Sequence, residues 1–184
     1  MSSENLPNHG VTGLNVGQEH VDSFMHYLVD AKKEPGRIHT QGEKVEEKSI
    51  RDAEIYPIDE KKVHLYEVLN KIAISANKHF KYDISGIERA QIIHYKAPSN
   101  GYSYHIDIGP QGTAALRKIS MSLLLNEEYE GGEICFRSSE EESCTRPKAG
   151  EVVAFSSFIS HKVNPITRGD RYVVVAWITG PPFR

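Results

Sequence analysis

From residue 83 onward the chain is a succession of short apolar runs, separated by turn residues and free of helical spacing. The runs cover residues 87–96, 102–108, 116–126, 132–136, 151–155, 158–164 and 172–178, and they are rich in Val, Ile, Leu, Phe and Tyr. Between them stand Pro98-Ser99-Asn100-Gly101, Gly109-Pro110, Gly131-Gly132, Pro147, Gly150 and Arg168-Gly169-Asp170. Short strands in this number, with no helix between them, predict an antiparallel sandwich or barrel of the jelly-roll kind. The acidic stretch SSEEES, residues 138–143, reads as a solvated loop between two of them.

The first 80 residues read differently. Val21, Phe24, Met25 and Leu28 recur at helical spacing within residues 19–31, and Val63, Tyr66, Leu69, Ile72, Ala73, Ala76 and Phe80 trace a longer apolar stripe through residues 60–80. Both stripes are core-packing faces. Residues 1–17 are polar and lack a period, which suits a frayed start or a short edge element. Residues 32–50 are charged and broken by Pro35, Gly36 and Gly42, the composition of a solvated loop or of a mobile lid over a site. At 184 residues a single domain is expected, with residues 1–80 as helical support and loop and residues 83–180 as the β-core.

Composition narrows the partners. A hydrophobic share of 39%, a charged share of 26% and a net charge of −3 suit an ordinary soluble globular protein and give no reason to invoke nucleic acid or an anionic membrane. The opening MSSENLPNHG has neither a basic stretch nor an apolar run, so a cytoplasmic protein is expected. Cys135 and Cys144 form no C-x-x-C pair, and in that compartment they are expected as reduced thiols, with a disulfide between them as the alternative.

The residues that carry chemistry are His105, Asp107, His161 and Arg171. Two residues apart in a strand, His105 and Asp107 point to the same side, and His161 can complete the set from another strand. A lone H-x-D is weak among nine histidines, and each histidine alone would read as a structural one. Together the three form a two-histidine, one-carboxylate set with metal-binding chemistry. No thiolate belongs to the set and no helical H-E-x-x-H is present, so Fe(II) with open coordination positions is a better match than zinc. Arg171 opens the apolar run 172–178, where a buried guanidinium needs an anionic partner; its planar fork suits a carboxylate.

These residues lie in stretches that resemble one family. QIIHYKAPSNGYSYHID (91–107), SMSLLLNEEYEGGEICF (120–136), RPKAGEVVAFSSFISHKV (146–163) and RGDRYVVVAWI (168–178) are similar to the prolyl-hydroxylase-like Fe(II)/2-oxoglutarate dioxygenases, among them the PKHD-type hydroxylases. The resemblance covers half the chain. It implies a double-stranded β-helix, the cupin-like jelly roll, backed by N-terminal helices. It also implies iron ligation by His105, Asp107 and His161, with Arg171 and Tyr95 on the far carboxylate of 2-oxoglutarate. Tyr102 and Trp177 fall at positions on the substrate side in relatives, and Arg117 is expected there as well. Where some relatives carry a tyrosine this chain has Leu124, so Ser120 is expected to offer a hydroxyl to the co-substrate instead. The implied reaction hydroxylates a C–H bond with O₂, yields succinate and CO₂, and uses ascorbate as an accessory reductant. The implied substrate is a prolyl residue in a protein or peptide, with a free amino acid or other small metabolite as the alternative.

Overall fold

The alternation within each apolar run sends its side chains to two destinations. Residues 12–35, 38–40, 43–45, 47, 49–138 and 141–183 are described by the structure, a computed structural model. In chain order the elements are β1 (Thr12–Asn15), α1 (Gln18–Tyr27), β2 (Glu34–Pro35), β3 (Ile38–Thr40), β4 (Glu43–Val45), β5 (Arg51–Asp52), β6 (Glu54–Pro57), α2 (Val63–Phe80), β7 (Gly86–Ile87), β8 (Gln91–Lys96) and β9 (Gly101–His105). After a single 3-10 segment at Gly112–Leu116 come β10 (Arg117–Leu124), β11 (Tyr129–Gly131), β12 (Ile134–Ser138), β13 (Glu141–Thr145), β14 (Glu151–Ser156), β15 (His161–Val163) and β16 (Ile166–Thr179). The larger sheet runs β1-β14-β10-β16-β8-β6-β2, with β7 and β11 also paired to β16; the smaller runs β13-β12-β15-β9-β5. All these pairings are antiparallel. The protein is mainly β with a jelly-roll core.

The larger sheet is covered on both faces, which explains why its strands read as nearly unbroken apolar runs. From β16, Val174, Ala176 and Ile178 join Ile119, Met121 and Leu123 of β10 against Leu65, Leu69, Ile72, Ala73 and Ala76 of α2. Phe24 and Val21 of α1 complete this cluster. The alternate residues Val173, Leu124, Ile93 and Tyr95 turn to the inner face and form a second, smaller cluster with Tyr129 and Ile166. Arg171 is therefore on the inner face, in step with Val173.

Several sequence expectations are corrected here. Helix α1 stops at Tyr27, short of residue 31. The Arg168-Gly169-Asp170 turn is instead part of β16: Gly169, at φ 74°, pairs with Tyr129, and a Cβ there would lie 2.3 Å from the Glu128 carbonyl oxygen. The glycine marks a close backbone approach inside a strand and not a chain reversal. Residues 141–143 belong to β13 and not to a loop. The cysteines are not reduced thiols. In the β12–β13 hairpin Cys135 stands directly opposite Cys144, their Cα atoms are 4.0 Å apart, and the two form a disulfide. The lid suggested for residues 32–50 lies in part outside the described residues; the described ones include the short strands β2, β3 and β4.

Truncation at the centre of the helix–sheet contact tests this packing. Leu69, 1% exposed on α2, is expected to cost about 2–5 kcal/mol of unfolding free energy when changed to Ala, read as a lower urea midpoint with an unchanged slope.

Candidate metal centre and carboxylate pocket

Antiparallel register brings the distant residues together. β9 and β15 are neighbours in the smaller sheet with His105 directly opposite His161, and their rings are 4.2 Å apart. Strand β9 ends at His105, so strand alternation does not orient Asp107 as the sequence suggested. Its backbone does: the Asp107 and Ile108 N–H groups both donate to the Ser157 carbonyl, at 2.9 and 3.0 Å, and Arg117 Nη1 donates to the Asp107 carbonyl at 2.9 Å. The result places one donor atom from each of His105, Asp107 and His161 within 4.8 Å of the others. His105 Nε2 is 3.6 Å from Asp107 Oδ1, and His161 Nε2 is 3.6 Å from Oδ2.

Hydrogen bonds fix which ring nitrogens face inward. His105 Nδ1–H donates to the Ser103 carbonyl at 2.8 Å, and His161 Nδ1–H donates to the Ile159 carbonyl at 3.0 Å. Both Nε2 lone pairs are thus left for a metal, the usual device for orienting a ligating imidazole. Burial pushes the His161 imidazolium down to about 4, so the ring is neutral near pH 7. For Asp107, burial opposes the charge, but the His105 hydrogen bond, the field of both imidazoles and the Ser120 hydroxyl prevail. They hold the carboxyl well below the usual range. A neutral His161 imidazole beside an ionised carboxylate suits a divalent cation.

In the larger sheet, Tyr95 of β8 stands beside Arg171 of β16 in register. Arg171 is 1% exposed, and its Nε and Nη1 find no acceptor among the described residues. Its guanidinium carbon is 5.4 Å from the Tyr95 ring and 6.0 Å from the Tyr129 ring. A buried cation with idle donors and aromatic walls is a receptor for an anion, because leaving it unpaired is costly. Tyr95, 1% exposed, has its phenol raised by burial, with Arg51 and Arg171 opposing that shift and Asp107 adding to it. It is a neutral donor between the two halves of the cavity.

The remaining expected residues divide. Tyr102 stacks on His105 with ring centres 3.6 Å apart. Trp177 lies on the inner face of β16, its indole N–H buried without a protein acceptor. Ser120 does not reach toward Arg171: its hydroxyl donates to Asp107 Oδ2 at 2.6 Å and contacts the Ser157 hydroxyl at 3.0 Å, so it positions the carboxylate. Arg117 is committed as well, with a two-pronged pair to Glu88 at 2.6 and 2.7 Å, the Asp107 carbonyl, and the Trp177 ring at 3.9 Å. It braces the Asp107 turn.

Sequence reasoning missed four contributors. Arg51 lies over Tyr102 at 4.9 Å from a two-residue strand beside the charged segment, where no periodicity marks it. Ser157 and Glu88 lie between strands, Ser157 just after β14 and Glu88 between β7 and β8. Tyr129 carried one signal, an aromatic two residues before the Gly131-Gly132 pair.

A jelly roll that gathers two imidazoles and a carboxylate on its inner wall, with an anion receptor opposite, has the makings of a non-haem iron oxygenase. Residues 90–179 match the family model described as the 2OG-Fe(II) oxygenase superfamily. The family works with Fe(II), 2-oxoglutarate and O₂, and the donor set and the idle Arg171 described above fit the first two. A PKHD-type hydroxylase of Alteromonas mediterranea is 34% identical over 87 residues, 44% of this chain and 38% of that protein. The chain therefore spans well under half of that relative's length. A prolyl-4-hydroxylase of Pseudomonas putida superposes with a TM-score of 0.73 at 18% identity over 95% of this chain and 94% of that one. A Trichoplax adhaerens prolyl hydroxylase, solved with a hypoxia inducible factor peptide fragment, gives 0.73 at 18% identity, covering 94% and 84%.

Two outcomes are expected from this geometry. Ser120→Ala should weaken Mn(II) binding by roughly 10–100-fold in a calorimetric titration, the usual effect of losing a group that orients a ligand. Acid should destabilise the metal-free protein. The folded His161 takes its proton only near 4 while the unfolded imidazole takes it near 6.5, so stability is retained above 6.5 and lost as the pH falls toward 4. The melting midpoint in chelator should drop across that window, and His161→Gln should flatten the drop.

Proposed function

We propose that the chain is an Fe(II)- and 2-oxoglutarate-dependent dioxygenase that hydroxylates a C–H bond of a prolyl residue in a protein or peptide. Succinate and CO₂ are the co-products, and ascorbate serves as accessory reductant. The observation that carries this reading is the convergence of His105, Asp107 and His161 opposite a buried Arg171 with unused donors. The PKHD-type and prolyl-hydroxylase relatives support the substrate class. The absence of a described helix long and apolar enough to cross a membrane accords with a cytoplasmic site of action, which we propose with it.

In this reading His105, Asp107 and His161 would hold the iron. The bound iron, with 2-oxoglutarate and O₂, supplies the oxidising power for an unactivated C–H bond. Everything else is positioning. Arg171 anchors the co-substrate by its far carboxylate, and Tyr95 donates from between the two halves of the cavity. Ser120, Ser157 and Arg117 keep Asp107 charged and aimed, so that it stays a ligand when the cavity is filled. Phe155, 4.5 Å from the His161 ring, and Phe136 beyond it form an apolar wall that keeps water from that side. Tyr102 and Trp177 face the substrate.

The test is conversion of 2-oxoglutarate to succinate with Fe(II) and ascorbate, followed by mass spectrometry for a +16 Da product on proline-containing peptides. The wild-type protein is expected to form succinate. Asp107→Ala should lose it while melting within a few degrees of the wild type. Undiminished turnover in that variant would remove iron from this site.

A further inference from the structure

We infer that Tyr129 supplies the hydroxyl that receives the far carboxylate of 2-oxoglutarate together with Arg171, a role that rests on the proposed use of that co-substrate. Leu124, on the same inner face, offers no donor. Ser120 is occupied by Asp107. The pocket around Arg171 nonetheless contains another phenol. Tyr129 is 4% exposed, and its hydroxyl is buried with no partner among the described residues, as are Arg171 Nε and Nη1. Idle polar groups from two strands therefore share one enclosed wall.

The register explains how Tyr129 reaches that wall. β11 pairs with β16 so that Tyr129 stands opposite Gly169. Arg171 is two residues further along the same face of β16, the diagonal neighbour that a long aromatic side chain can reach. Gly169 has no side chain to block that lean. Gly132 closes the wall from behind: at φ 68° its missing Cβ would lie 2.8 Å from Arg171 Cδ and 3.2 Å from Tyr129 Cε2. Arg146 holds the strand in place, donating to the Tyr129 carbonyl and lying 4.5 Å over its ring.

A merely structural Tyr129 would not need its oxygen. Phe fills the same space, and a buried hydroxyl without a partner costs stability. Bound to a carboxylate, the same O–H makes a charge-assisted hydrogen bond beside the guanidinium fork. The hydroxyl thus acts only when the pocket holds an anion.

Tyr129→Phe separates these roles. Ligand-free, the variant should melt at or above the wild-type midpoint. Loaded with Mn(II) and titrated calorimetrically, it should bind 2-oxoglutarate about 10–100-fold more weakly than wild type, the range for a hydrogen bond to a charged group. It should also show a smaller 2-oxoglutarate-induced rise in melting temperature. 2-Oxopentanoate, which has a methyl group in place of the far carboxylate, should bind both proteins alike. Affinity for 2-oxoglutarate within twofold of wild type, or an equal loss for both acids, overturns the role of Tyr129 and leaves the co-substrate reading standing. No binding of 2-oxoglutarate by the wild-type protein overturns both.

Discussion

Two antiparallel registers, one in each sheet, govern the interior of this protein. His105 faces His161 across β9 and β15, and Tyr95 faces Arg171 across β8 and β16. A slip of one residue in either pairing would turn its members to the opposite face. In β16 that slip would drive Arg171 into the helix-packed core and bring Val174 to the pocket. The apolar alternation therefore specifies the site as a by-product of specifying the fold. Burial of Val174, Ala176 and Ile178 against α2 commits Arg171 and Val173 to the cavity.

The cavity holds two electrostatic problems that are solved differently. At the metal end the chain compensates its own buried charge: Asp107 has imidazoles on both sides and a serine hydroxyl on one oxygen. At the far end Arg171 is buried without acceptors for Nε and Nη1 among the described residues, and the Tyr95 and Tyr129 rings lie beside it. The first end tolerates the absence of its ligand better than the second. A desolvated guanidinium lowers the stability of the empty fold and returns that free energy as affinity when an anion arrives.

Legibility in the sequence followed how local the determining physics is. His105, Asp107, His161 and Arg171 were legible because their chemistry is unusual among apolar strands and their order is that of a recognisable family. The helices were legible from period alone, apart from the early end of α1 at Tyr27. The bonds of Ser120 and Arg117 to the Asp107 turn were not legible, because what a hydroxyl or guanidinium bonds depends on that turn, and the turn is shaped by the Ser157 carbonyl from a distant loop. Gly169 misled for a related reason: a glycine needed for close approach to Glu128 looks the same in sequence as a glycine needed for a turn. The cysteine pairing depended on the β12–β13 register, which is invisible when residues 138–143 are read as a loop.

The site is also asymmetric in what supports it. Its inner wall is built from strands within the family match, and behind them lies the cluster formed with α1 and α2. Arg51 and Glu88 come from outside or before that stretch, yet they touch Tyr102 and Arg117, which contact His105 and the Asp107 turn. The N-terminal region is thus more than a cover for the larger sheet. Through two charged contacts it also supports the residues that aim the metal ligands. A fold of this kind can keep one chemistry in its β-core while segments outside the core determine what is presented to it.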